Sequence, residues 1–261
     1  GVMHRCRALR LPMDSLLLRL TGRLATDHTM AAGTMLYRNQ TRAWDPELIR
    51  AGGLAESMLP PVRDAGSVLG PLLPSIAEPL GLPRTVMVSI GGQDQKCAAL
   101  AAGLATDIAT LSLGTAGALT IPQSVPDCWP GIPVFPFFDG GWVREGSIPT
   151  AGEAWRWLTR VLLRGNAELE TLASVAGGTA FFFPQLSRTG PDNAGRWGVP
   201  PAGVFWGLTL DAGPGDLARA VLEGVTFELA LLWRSMGTPG VTALRVFGGG
   251  AANQWWCQFI A

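Results

Sequence analysis

A single lysine, Lys96, stands among the 261 residues, and it does not close a GxxxxGK[ST] spacing. A Walker-type phosphate loop is therefore excluded. His4 and His28 are the only histidines, too few for a histidine-ligated metal. No G-x-S-x-G elbow occurs, which removes the ordinary serine hydrolases. No apolar run reaches the roughly 18 residues that a membrane-crossing helix needs, so no membrane partner is expected. Charged residues make up only 15% and the formal net charge is zero, which leaves no footprint for a nucleic acid. Cys6, Cys97, Cys128 and Cys257 lack paired spacing. That fits reduced thiols in a cytoplasmic protein better than disulfides or a zinc site. The Arg-rich start GVMHRCRALRLPMD has no apolar stretch and cleavage site of a signal peptide. The chain begins with Gly1 and stops in NQWWCQFIA without a helix-ending signal, and so reads as a piece of a longer protein.

What remains is an apolar chain, 48% hydrophobic with 34 glycines, long enough for a large core or for two domains. Helices are expected over 13–20, after Asp45-Pro46-Glu47, over 94–104, 152–165 and 216–237, and from 251 onward. Asp45-Pro46-Glu47 combines a cap, a first-turn proline and a first-turn acid. Residues 26–36 read as mixed helix and loop, and 59–83 as a proline-rich loop with a short helix. TVMVSI, 85–90, reads as a buried strand, and 108–122 as a hairpin around Gly114-Thr115-Ala116-Gly117. Further strands are expected over 179–186, 203–210 and 243–247, with a long loop over 187–203. Alternating strands and helices indicate an α/β or α+β fold.

Three glycine turns each follow an apolar strand: GGQDQ at 91–95, GTAG at 114–117 and GGGAAN at 248–253. Such turns let the backbone bend sharply and approach a ligand, and their N–H groups attract phosphate. One turn alone would be an ordinary feature of a glycine-rich protein. The side chains add chemistry. Asp94 beside a hydroxyl can take its proton during phosphoryl transfer. Thr115 in a tight hairpin can bond phosphate oxygens. The triple glycine leaves a flat surface for a purine. An acid at 94 also suits a helix N-cap, and the two roles are compatible.

Six segments, in order, resemble the FGGY family of carbohydrate kinases: LTGRLATDHTMAAGTMLYR, TRAWDPELIRAGGLAESMLPPV, GGQDQKCAALAAG, LSLGTAGAL, RAVLEGVTFEL and VFGGGAANQWWCQFIA. The likeness to the xylulokinase branch is strongest. The resemblance implies an α/β, actin-like, ribonuclease H-like ATPase fold, present in part, with two domains around a cleft. Residues 1–103 would be the latter part of the N-terminal domain and 104–261 most of the C-terminal one. It implies Asp94 as catalytic base, with Asp94 and Gln95 at the substrate. Gly114 and Thr115 would contact ATP phosphates, and Gly249, Gly250 and Asn253 the adenosine. ATP and Mg2+ are the implied cofactors, with no metal ligand from the protein. The implied partner is a sugar or polyol, a class that includes xylulose, fuculose, glycerol and gluconate. A homodimer is the implied assembly.

Other residues receive structural readings. Asp27 and His28 either help line the sugar side or, the preferred reading, stabilise their loop; one of Trp155 and Trp157 is core, Glu223 forms a hydrogen bond or ion pair, and the cysteines are buried small hydrophobes. The sequence also departs from the family. The Asp-x-Gly-Thr phosphate turn is absent, and the family's LSGERTP loop appears as LSRTGP at 186–191. The 261-residue piece alone is therefore expected to be inactive. The alternative function is a nucleotide-binding or decayed member of the same fold, which would have no need of the base Asp94.

Overall fold

The computed structural model describes residues 6–127, 130–162, 171, 173–174, 176–187, 202–238 and 240–261. The elements in chain order are α1 (Pro12–Thr21), β1 (Thr26–Asp27), α2 (His28–Ala32), β2 (Tyr37–Arg38), β3 (Ala43–Trp44), α3 (Pro46–Ala51), β4 (Val62–Arg63), β5 (Val68–Pro71), α4 (Pro74–Ala77), β6 (Met87–Ser89) and α5 (Asp94–Ala101). There follow β7 (Ile108–Leu113), β8 (Gly117–Gln123), β9 (Val134–Pro136), β10 (Trp142–Ile148), α6 (Gly152–Trp157), β11 (Phe181–Phe183), β12 (Val204–Trp206), α7 (Pro214–Met236), β13 (Ala243–Phe247) and α8 (Gln254–Ile260). Two compact units result: Gly1–Leu100 with Gln123–Cys128 and Val134–Val143, and Ala101–Pro122 with Trp129–Pro133 and Arg144–Ala261. No helix among the described residues is long and apolar enough to cross a membrane.

In the first unit, local sequence sets the short helices. Asp45 caps α3, its Oδ1 accepting from the N–H groups of Glu47 and Leu48 at 2.9 and 3.2 Å. Asp27, fully buried, caps α2 in the same way through Thr29 and Met30. The TVMVSI segment does not form the expected buried strand. It supplies β6, which pairs antiparallel with β5 in a two-stranded sheet. Met87 and Ser89 are exposed, and burial is concentrated at Ile90. A two-stranded ribbon has too few neighbours to cover both faces of an apolar strand. The partner strand β5 lies where the sequence reads as proline-rich loop.

The second unit is built on β13, β7, most of β8 and the later part of β10; β13 runs parallel to β7 and β7 pairs antiparallel with β8. Leu111, Leu113, Leu119 and Ile121 of the β7–β8 hairpin pack on Val221, Leu222 and Val225 of α7. Removing any one of these large side chains would cost about 2–5 kcal/mol. α7 is started by Pro214 and by Asp216, which accepts from the Gly213 N–H at 2.8 Å. Gly224 stands in the middle of the helix for a packing reason. A Cβ there would lie 2.1 Å from the Phe182 carbonyl oxygen of β11. Glu223 accepts from Arg219 one turn earlier at 2.6 Å, the ion pair expected from the sequence. The 152–165 segment is α-helical only to Trp157 and continues as a π-turn over Leu158–Leu162. Cys128 lies outside the described residues, and the other three cysteines differ from the buried hydrophobes expected. Cys97 is exposed, and Cys6 and Cys257 are half-buried free thiols.

Asp14 is a buried acid outside any glycine turn. It is fully buried in α1, and its Oδ2 accepts from the Leu11 N–H at 2.8 Å. Burial pushes its carboxyl above the usual range, against the opposing pull of the Leu11 N–H and the Thr26 hydroxyl. A raised folded pKa means that the native state holds the proton to higher pH than the unfolded chain. The group's stabilising contribution is full below the unfolded value of about 3.9 and is lost as pH rises through the folded value. Asp14→Asn keeps an oxygen for Leu11 and cannot ionise. Thermal melts should show the variant gaining on the parent as pH rises from 4 to 7. Asp14→Ala, which cannot ionise either, should follow the same pH trend but lie about 1 kcal/mol below Asp14→Asn at every pH through the missing cap. An Asn-minus-parent difference that does not change with pH would contradict this.

Candidate active site

The turn between β7 and β8 is locked onto the start of α6. Within the turn the Gly114 N–H donates to the Ala116 carbonyl at 3.1 Å. The Gly114 carbonyl accepts from the Gly152 N–H at 2.9 Å, and the Thr115 carbonyl from Ala151 and Glu153 at 3.0 and 3.2 Å. The first N–H groups of a helix have no partner inside it. Here the hairpin carbonyls meet them. The approach requires Gly152, since a Cβ there would stand 2.6 Å from the Gly114 oxygen. The Arg156 guanidinium donates to the Thr115 hydroxyl at 2.6 Å and pairs with Glu153 at 2.8 Å. Because the Thr115 hydroxyl accepts from arginine, its own proton is free for an incoming acceptor.

The end of β13 forms the facing wall. Gly248 has φ +94, and a Cβ there would meet the Leu113 carbonyl oxygen at 2.9 Å. Gly249 opens onto empty space, with nothing within 4 Å of an added Cβ. Gly250 packs on Leu113 and Trp256, each 2.9 Å from an added Cβ. Asn253 caps α8 by accepting from the Trp256 N–H at 2.8 Å, which leaves its amide nitrogen for other contacts. Trp256 is fixed in turn by donating from Nε1 to Thr226 at 2.9 Å.

A cavity of about 430 Å3 lies between these walls, and Gly114, Thr115, Gly249, Gly250 and Asn253 all line it. The structure therefore brings together all five nucleotide-site residues expected from the sequence. It adds Gly152, Trp155 and Arg156 to the lining. Of the two tryptophans in GEAWRW, Trp157 is the one that stacks on Phe182, with ring centroids 6.1 Å apart. A larger groove of about 670 Å3, also in the second unit, is lined mainly by aliphatic side chains of α7, β13 and α8. The smaller cavity has the convergent polar groups expected of a ligand site.

Asp94 and Gln95 belong to the first unit. Asp94 is the first residue of α5 and is exposed. It is not the cap that the sequence allows. Gln93 takes that role, its Oε1 accepting from the Lys96 N–H at 3.0 Å. Asp94 Oδ1 accepts from the Gln95 N–H at 2.7 Å and from Gln93 Nε2 at 2.8 Å. The turn is tied to buried Asp27 through Thr29. The Gln93 N–H donates to the Thr29 hydroxyl at 2.8 Å, and that hydroxyl donates to Asp27 at 2.7 Å. Asp27 thus stabilises its loop as expected, and it steadies the Asp94 turn as well. His28, next in the chain, bonds the Tyr37 hydroxyl at 2.7 Å and pairs with Asp64 at 3.2 Å. Gln95 Nε2 is buried without a hydrogen-bond partner. Among the described residues no cluster of three or more His, Cys, Asp or Glu side chains could hold a metal. Residues 188–191 of the LSRTGP loop lie outside the described residues.

The N-terminal domain of the FGGY family of carbohydrate kinases matches residues 1–101, and its C-terminal domain matches residues 109–261. A xylulose kinase of Klebsiella pneumoniae is 34% identical over 98% of this chain and 54% of its own length. A glycerol kinase of Rhodospirillum centenum is 34% identical over 95% of this chain and 52% of its own. The chain thus spans about half the length of the curated relatives it matches. Among solved structures, a xyloylose kinase from Brucella ovis superposes with a TM-score of 0.87 at 29% identity, over 100% of this chain and 55% of that one. Plasmodium falciparum glycerol kinase with ADP gives 0.77 at 26% identity, over 95% of this chain and 51% of that one. The fold is that of these sugar kinases, an α/β fold of the actin-like, ribonuclease H-like ATPase type. With both family domains matched in order along its length, the chain belongs to the FGGY family of carbohydrate kinases.

Proposed function

We propose that this chain carries the nucleotide site and the proton acceptor of an ATP-dependent kinase acting on a sugar or polyol hydroxyl in the cytoplasm. One observation carries the reading. Two glycine turns far apart in sequence, at 114–115 and 249–250, line one cavity together with Asn253, Trp155 and Arg156. Its volume lies within the ~300–1,000 Å3 typical of ligand pockets. The open space over Gly249 leaves room for a flat purine. The Thr115 proton and the Arg156 guanidinium suit phosphate oxygens in type and charge. Mg2+ would be held through the phosphates, whose charge it neutralises.

Asp94 would accept the hydroxyl proton as that oxygen bonds to the terminal phosphorus and the bond to ADP breaks. The carboxylate is exposed, and its two bonds both fall on Oδ1, which leaves Oδ2 for the proton. Gln95, next to Asp94 in the first turn of α5, is the second side chain assigned to the acceptor sugar.

Two variants of the full-length gene product test this. Asp94→Asn should lower sugar-dependent ADP formation about 10²–10⁴-fold while ADP binding stays unchanged. Undiminished turnover would remove Asp94 from the chemistry. Gly152→Ala should push the Gly114 carbonyl away and weaken ADP binding about tenfold, measurable by calorimetry. Unaltered affinity would show that the nucleotide lies elsewhere.

A further inference from the structure

The chain reaches residues 134–143 only after the β7–β8 hairpin, yet they belong to the first unit. This stretch, VFPFFDGGWV, is an aromatic hairpin closed by the Phe137 N–H donating to the Gly141 carbonyl at 2.8 Å. It is tied down from outside. Asn39 Nδ2 donates to the Val134 carbonyl at 2.7 Å, and Arg42 to the Gly140 carbonyl at 3.3 Å.

Two of its rings bear on the Asp94 turn. Phe138 occupies the room where a side chain at Gly92 would sit, with ring atoms 2.5 and 2.6 Å from an added Cβ. Phe135 lies under Lys96, whose ammonium is 3.7 Å from the ring centroid. Lys96 is only 1% exposed. A cation–π contact is stronger when the cation is withdrawn from water. Thr29 in turn holds the Gln93 N–H. Residues 92, 93 and 96 are thus each held, while exposed Asp94 stands among them.

We propose that Phe135 and Phe138 are positioning residues: they fix the turn that aims the Asp94 carboxylate at the acceptor hydroxyl. The inference rests on the kinase reading above. A proton acceptor displaced by about 1 Å loses on the order of 100-fold in rate, so a clamp on both flanks of the carboxylate acts on turnover and not on nucleotide affinity. Gly92 is the glycine that this clamp demands.

The test is a double-mutant cycle in the full-length gene product, with acceptor-dependent ADP formation as the rate and ADP binding and thermal melts as controls. Gly92→Ala should lower kcat about 100-fold, with KM for ATP within about twofold of the parent. Adding Phe138→Leu, which makes room for the new methyl, should recover about tenfold of that loss. Phe135→Leu, which removes the ring face under Lys96, should lower kcat about tenfold with KM for ATP again unchanged. The proposal is overturned if Gly92→Ala turns over like the parent. It is also overturned if Phe138→Leu rescues nothing, or if all three variants lose ADP binding in step with turnover. A parent protein that forms no ADP in response to any sugar or polyol would sink the kinase reading itself. An active parent with indifferent variants would sink only the positioning role.

Discussion

The carbonyl groups of Gly114 and Thr115 accept the first N–H groups of α6, and the candidate nucleotide cavity depends on that contact. It does two things at once. It satisfies helix N–H groups that would otherwise lack partners, and it fixes the hairpin turn at one distance from the helix. Gly152 makes the approach sterically feasible, and Arg156, one turn on, reaches back to the Thr115 hydroxyl. The opposite wall obeys the same constraint. Gly248 and Gly250 crowd Leu113, at the end of the strand that carries the turn, while Gly249 is left open. A cavity between two backbone turns can be this close-walled only where side chains are absent.

The first unit uses buried polar chemistry instead. Asp27 has no solvent exposure, so its carboxylate must be matched by donors. It takes the Thr29 and Met30 N–H groups and the Thr29 hydroxyl, and through that hydroxyl it governs the Gln93 N–H. A buried acid thus sets the geometry of an exposed one, Asp94. Networks of this kind are stiff because each lost bond strands a buried polar atom. Stiffness at the proton acceptor suits a reaction in which the protein supplies positioning and charge and little covalent chemistry.

Features set by neighbours in the chain were legible in the sequence. Asp45-Pro46 starting α3, the β7–β8 hairpin and the long α7 come from capping chemistry, turn glycines and helical spacing, and the structure has all three. The glycine turns were legible because glycine marks places where a backbone comes close. Features set by tertiary neighbours were not. TVMVSI is apolar enough for a buried strand, but its exposure depends on β5, which reads as proline-rich loop. β9 and β10 went unread because VFPFF and GGWVREGSI lack clear alternation. Trp155 and Arg156 sit in a helix whose apolar spacing signals core, and only the folded hairpin shows that they face a cavity. Gln93, a poor cap by composition, displaces Asp94 from that role because its N–H is already held by Thr29.

The most direct measurement is a crystal structure of the full-length protein with ADP and Mg2+. The phosphates should lie within hydrogen-bond reach of Thr115 and Arg156, with the adenosine against Gly249 and beside Asn253. Density for ADP in the aliphatic groove between α7 and β13, or no ADP at concentrations that saturate other kinases, would contradict the assignment of the cavity and the function built on it.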